Sequence, residues 1–137
     1  MLRATAREQG NEHELCVTVD DVRADGFGPS PRFQVLLAEV NGRVAGMALY
    51  FLDYSTWTSR NGLYLEDLYV YGDFRRKGVA RVLMTGLVAI AKARGCGRLN
   101  WVVQRGNTRA IQFYEDLGAR PLDEWPLWKL AVDVNIP

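Results

Sequence analysis

Apolar positions along the 137-residue chain follow two rhythms, one of period two and one near 3.6. Residues 1–14 show only a weak helical pattern. Thr18 to Ala24 (TVDDVRA) reads as a short helix. Thr18 is its cap, Asp20 and Asp21 sit in the first turn where the helix dipole favours acids, and Gly26 is a stop signal. Residues 27–32 hold Gly28, Pro29 and Pro31 and read as loop. Phe33 to Val40 is a strand, Asn41-Gly42 a two-residue hairpin signal, and Val44 to Tyr54 its antiparallel partner. Residues 55–62 (STWTSRNG) form a polar loop carrying Trp57. Leu63 to Tyr71 (LYLEDLYVY) is apolar or aromatic at nearly every position, as in a strand covered on both faces.

Gly78 to Arg94 returns to the helical rhythm, with Leu83, Leu87 and Ile90 on one face and Gly95 at its end. Arg98 to Gln104 predicts another strand. Asn107 to Leu117 predicts a helix capped by Asn107 and closed by Gly118. Trp125 to Val134 predicts a last strand. There is no internal repeat, linker or low-complexity tract, so residues 1–137 read as a single domain of the α/β (α+β) class. A hairpin followed by strand–helix–strand implies a mixed sheet, with right-handed crossovers carrying the two late helices to a common face.

Composition narrows the class. At 48% hydrophobic and 11% aromatic the chain is neither disordered nor fibrous. No apolar run is long enough for a transmembrane helix, and the polar start lacks a secretory h-region. Two cysteines, Cys16 and Cys96, without a CxxC pair, suit a reducing cytoplasm. The lone His13 offers no metal cluster, so no metal is expected. The net charge of +1 conceals a partition: residues 75–109 carry nine Arg or Lys and no Asp or Glu. A solvated basic face, a nucleic-acid surface and a small-anion site all fit such a cluster. The low overall charge and the absence of any nucleic-acid motif favour the small polyphosphate.

The turn Arg75-Arg76-Lys77-Gly78-Val79-Ala80 lies between the apolar strand and the helix. A helix start exposes unpaired backbone N–H groups and partial positive charge, and small residues there let a phosphate approach closely. Neither GxxxxGK[ST] nor GxGxxG is present, so this is not a P-loop or a dinucleotide fingerprint.

This R-R-K-G-V-A turn resembles the acyl-CoA signature Q/R-x-x-G-x-G/A of the GNAT acetyltransferase superfamily. The segments ALYFLDYSTW, GLYLEDLYV and IQFYEDLGA resemble its diamine and polyamine N-acetyltransferase branch, over roughly residues 18–131. The resemblance implies a mixed, mostly antiparallel twisted sheet with helices on both faces. It also implies that the family's first strand and most of its first helix are missing here. Its co-substrate would be acetyl-CoA, held by Leu68, Tyr69 and Val70, by Arg75, Arg76, Lys77, Gly78, Val79, Ala80 and Arg81, and by Asn107 and Ala110. Tyr114 matches the acid that protonates the leaving thiolate, and Glu66 the base that takes the amine proton. Glu66, Asp67 and Trp57 match acceptor-binding positions. Each has a structural alternative: Trp57 and Tyr114 as packing aromatics, Glu66 as a carboxylate paired with an arginine, and Asn107 as a helix cap that also contacts the cofactor. Adjacent strand residues point to opposite faces, so Glu66 and Asp67 share a pocket only if a bulge intervenes. The implied partners are a small amine and a second copy of the chain, not nucleic acid or membrane. Two classes follow: an amine N-acetyltransferase, or a non-catalytic acyl-CoA-binding domain that lost its acceptor site with its front end.

Overall fold

The structure, a computed structural model, describes residues 1–132. They fall into two compact units, Met1–Val102 and a second beginning at Val103. In the first unit the chain runs α1 (Leu2–Glu8), a 3-10 turn, α2 (Val19–Phe27), β1 (Gln34–Val40), β2 (Arg43–Ser55), β3 (Arg60–Val70), a second 3-10 turn (Gly72–Phe74), α3 (Val79–Ala93) and β4 (Arg98–Asn100).

Asn41 and Gly42 both adopt left-handed backbone, φ 50° and 73°. This is the turn that matches strand twist, and it folds β1 onto β2 in antiparallel register. The sheet order is β1-β2-β3-β4. β2 and β3 are antiparallel, and β4 lies parallel to β3 over Gly62 to Tyr64 only. Asp53 and Arg98 pair at 2.9 Å across the central strand. They meet over Gly62, where a Cβ would stand 2.7 Å from the Arg98 Nε. The sheet is thus mixed and mostly antiparallel, as the sequence implies.

One face is covered by α3, whose Leu83 and Leu87 are fully buried with Leu63 of β3. The helix sits close because two glycines allow it. A Cβ on Gly86 of the helix would meet Leu36 at 2.6 Å, and one on Gly46 of β2 would press on Leu83 of the helix at 3.3 Å. Strand alternation sends Met47 and Tyr69 to the other face. There α1 reaches Tyr69 through a hydrogen bond from its hydroxyl to Glu8. Helices therefore lie on both faces of this sheet.

Several boundaries differ from the sequence reading. α2 continues through Gly26 to Phe27. A Cβ at Gly26 would stand 2.7 Å from the Phe33 ring, so this glycine makes room for packing and does not stop the helix. β3 starts at Arg60, inside the polar stretch that reads as loop, because β2 and β3 pair out to Ser55–Arg60. β4 holds three residues and ends at Asn100. No strand forms in residues 125–132. Pro126 cannot donate to a ladder, and the Trp125 amide is used in a turn to Leu122. Positions 133 and 134 of that expected strand lie outside the described residues.

The second unit contains α4 (Thr108–Asp116). Asn107 Oδ1 accepts from the Ala110 amide at 3.1 Å, and Gly118 follows the helix with φ 89°, as expected of its cap and stop. Among the described residues no helix is long and apolar enough to cross a membrane.

Candidate active site

The acidic dipeptide of β3 sits at an irregularity. Leu49 faces Asp67 and Tyr50 faces Leu65, which leaves Glu66 as an extra residue without a cross-strand partner. This is a β-bulge, and it breaks the alternation that would send the two carboxylates to opposite faces. Glu66 is exposed, whereas Asp67 is half-buried. Their proximity is electrostatically visible. Burial pushes the Asp67 carboxyl above its usual range, and the Glu66 charge pushes it further the same way. The Tyr64 phenol is raised by the same two causes, burial first. The strand that reads as covered on both faces is therefore open at its functional end, and Glu66 is a solvated carboxylate rather than a buried one.

Beyond the bulge, Leu68, Tyr69 and Val70 continue β3, but β4 pairs only as far as Tyr64. The β4-side edge of residues 65–70 thus has no strand partner among the described residues. The chain then turns through the basic segment. Arg76 takes a left-handed φ of 61° and Gly78 one of 81°. Gly78 caps α3 without any side-chain hydrogen bond, and no acid lies in the first turn. The Val82 amide donates to the Gly78 carbonyl at 3.0 Å, the bond that opens α3. The amides of Arg76 to Arg81 lie just before it along the chain, and a Cβ at Gly78 would meet nothing within 4 Å. Lys77 reaches back over the Phe74 ring at 5.8 Å. Open backbone donors, positive end charge and surrounding cations fit a pyrophosphate.

Arg75 behaves differently from the other cations of this turn. Its guanidinium is bound to both Glu8 oxygens, at 2.7 and 2.6 Å, and to the Val70 carbonyl at 2.9 Å. It also lies over the Tyr69 ring at 5.6 Å. The Glu8 carboxyl is held below its usual range, chiefly by this bond from Arg75. No local pattern in the sequence links Glu8 to Arg75, a residue so distant along the chain. Trp57, in the turn between β2 and β3, is 89% exposed, which removes core packing as its role.

Asn107, Ala110 and Tyr114 belong to α4 in the second unit. Ala110 supplies the amide that Asn107 caps. Tyr114 is half-buried with its ring 5.3 Å from that of Phe113, and burial pushes its phenol up. A phenol with a raised pKa holds its proton at neutral pH, as a general acid must.

Comparison with known proteins agrees with this layout. The acetyltransferase (GNAT) family model matches residues 2–119. A thialysine N-epsilon-acetyltransferase of Mus musculus is 35% identical, over 93% of this chain and 79% of that protein. An L-ornithine N5-acetyltransferase of Arabidopsis thaliana is 33% identical, over 88% of this chain and 50% of that one. Among solved structures, an integron cassette protein from the mobile metagenome of V. cholerae shares the fold with a TM-score of 0.78. It is 24% identical, over 95% of this chain and 82% of its own. The family match runs from α1 past the end of α4, and relatives above 30% identity span most of the chain. The chain therefore belongs to the acetyltransferase (GNAT) family and is an N-acetyltransferase.

Proposed function

We propose that the protein transfers the acetyl group of acetyl-CoA to a primary amine of a small diamine, polyamine or lysine-like acceptor. The observation that carries this reading is the bulge at Glu66, which sets two carboxylates side by side. An ammonium between them offsets both causes that raise Asp67, its burial first and the repulsion from Glu66 second. The thialysine, ornithine and spermidine/spermine acetyltransferases among the relatives support a cationic acceptor.

Acetyl-CoA supplies an activated thioester, and its pyrophosphate fits the amides of Arg76 to Arg81. The amine nitrogen attacks the carbonyl carbon, and the carbon–sulfur bond breaks with its electron pair going to sulfur. Glu66 takes the ammonium proton through water, Asp67 holds the acceptor's charge, and Trp57 stands at the acceptor entrance. Tyr114 gives the departing sulfur its proton and is restored by the second proton that the acetylated nitrogen loses. Leu68 to Val70 offer main-chain groups along the unpaired edge, and Asn107 and Ala110 add contacts from α4. The family match runs through the first unit and into the second, as far as residue 119, which supports one domain.

We also propose a homodimer in the cytoplasm. Trp125 and Trp128 are exposed, as are Val35 and Leu37 of β1, whose outer edge has no strand partner among the described residues. A monomer by light scattering at micromolar concentration refutes the dimer.

Turnover of acetyl-CoA across a panel of diamines, polyamines, lysine-like amines and neutral arylamines tests the acceptor, and arylamines outcompeting diamines overturn it. Glu66→Gln is expected to lower turnover about 100-fold where the amine is fully protonated, with the loss shrinking toward the amine's own pKa. The same loss at every pH removes the base assignment. Tyr114→Phe is expected to lower kcat with little change in acetyl-CoA affinity, since it removes a proton donor only.

A further inference from the structure

The signature that opens α3 begins with an arginine, and the simplest expectation is that this cation meets phosphate. The geometry points elsewhere. We infer that Arg75 is a positioning residue for the backbone cradle, locked by Glu8 of α1, and not a ligand of the phosphate. The inference rests on the reading that acetyl-CoA binds at this turn.

Arg75 is committed on three sides. Its Nε donates to the Val70 carbonyl, one terminal nitrogen to both oxygens of Glu8, and its flat face covers the Tyr69 ring. Glu8 is in turn fixed by the Tyr69 hydroxyl at 3.1 Å. The pair is neutral together, so Arg75 adds little attraction for an anion beyond its partner's repulsion. An ordinary surface ion pair contributes little, but here one guanidinium nitrogen reaches both carboxylate oxygens, the guanidinium lies over a ring, and two further hydrogen bonds join the pair.

The position along the chain explains what such a lock does. The next residue, Arg76, is a non-glycine with φ of 61°. Left-handed backbone at such a residue is strained and persists only where its surroundings hold it. Arg75 is tied by its own amide to the Gly72 carbonyl at 3.1 Å and by its side chain to the strand end and to α1. Those ties fix the chain immediately before the left-handed step, and that step aims the amides that follow. Releasing Arg75 lets Arg76 relax to right-handed backbone, which reorients the amides that follow it.

The test is calorimetric titration of the full chain with CoA, for the wild type, Glu8→Gln, Arg75→Ala and the double variant. Glu8→Gln keeps the side chain's size and lies outside the cradle. A lock predicts that it weakens CoA binding about five- to tenfold, with the double variant no worse than Arg75→Ala alone. A direct phosphate ligand predicts the reverse, an unchanged or tighter constant in Glu8→Gln because Arg75 is set free, and that result overturns the inference. Steady-state kinetics separates positioning from mere stabilisation. The KM for acetyl-CoA is expected to rise in Glu8→Gln with kcat and the amine KM unchanged, whereas a lower kcat at an unchanged KM reports lost folded enzyme and overturns it. If Arg75→Ala does not fold, Tyr69→Phe replaces it, with an expected two- to threefold weaker CoA constant, about the loss of one modest hydrogen bond. A wild type that does not bind CoA removes the cradle reading itself. A wild type that binds, beside a Glu8→Gln variant of equal affinity, removes only the lock.

Discussion

The two longest helices of the first unit begin in opposite ways. α2 closes its own start: the Asp21 amide donates to Thr18 Oγ1 at 3.1 Å, and the Thr18 amide donates to the Asp21 carboxylate at 2.8 Å. Asp20 and Asp21 complement its dipole. α3 does none of this. A left-handed glycine stands at its cap, no side chain accepts from its amides, no acid lies in its first turn, and the nearby charges are positive. A capped start contributes about 0.5–2 kcal/mol of stability, and α3 forgoes it. It forms regardless because Val79, Leu83, Met84, Leu87 and Ala91 are buried against the sheet. The contrast separates a helix start that completes itself from one that leaves its donors for a ligand.

The most damaging way to break the contrast is to give α3 an acid. Gly78→Asp strains a backbone of φ 81°, though aspartate visits the left-handed region more readily than most residues and a Cβ there meets nothing within 4 Å. It places a negative charge where a pyrophosphate belongs. CoA affinity is expected to fall about 100-fold, with a modest change in melting temperature. Titration beside thermal unfolding checks both halves. Retained affinity means that these amides are not the CoA site.

The converse substitution is Thr18→Ala. It removes the acceptor for the Asp21 amide and loosens the reciprocal bond. Stability is expected to fall by about 1 kcal/mol in urea unfolding, with CoA affinity unchanged. A loss of affinity as large as that of Gly78→Asp dissolves the distinction between the two starts.

These same residues show what a sequence discloses. Thr18, Asn41-Gly42, Asn107 and the turn at residues 75–80 are local chemistry, and each is legible because the backbone need is met within a few positions. The bulge is legible only as a condition: two neighbouring carboxylates share a pocket if alternation fails, and register alone decides that. Gly26 misleads because a glycine that ends a helix and one that admits a ring share one letter. The stretch from Trp125 misleads because apolar character outweighed the missing donor of Pro126. Glu8 was beyond reach, since only folding brings it to Arg75.

A smaller effect sharpens the comparison from the acidic side of the site. Asp67 has its carboxyl raised by burial and then by Glu66, so the folded protein binds this proton more tightly than the unfolded chain does. A raised carboxyl is unpenalised in acid and costs stability as pH climbs from the ordinary carboxylate range through the raised value. Above that window the cost is complete. Asp67→Asn removes the titration. It is therefore expected to be more stable than the wild type at neutral pH, by under about 1 kcal/mol given the solvent that reaches the bulge, with the gap closing in acid. Denaturant midpoints of both proteins across that pH range measure it. A constant gap assigns the cost to packing rather than charge. A saturating diamine is expected to narrow the gap at neutral pH, because the ammonium supplies the countercharge that the wild type lacks and the asparagine variant no longer needs.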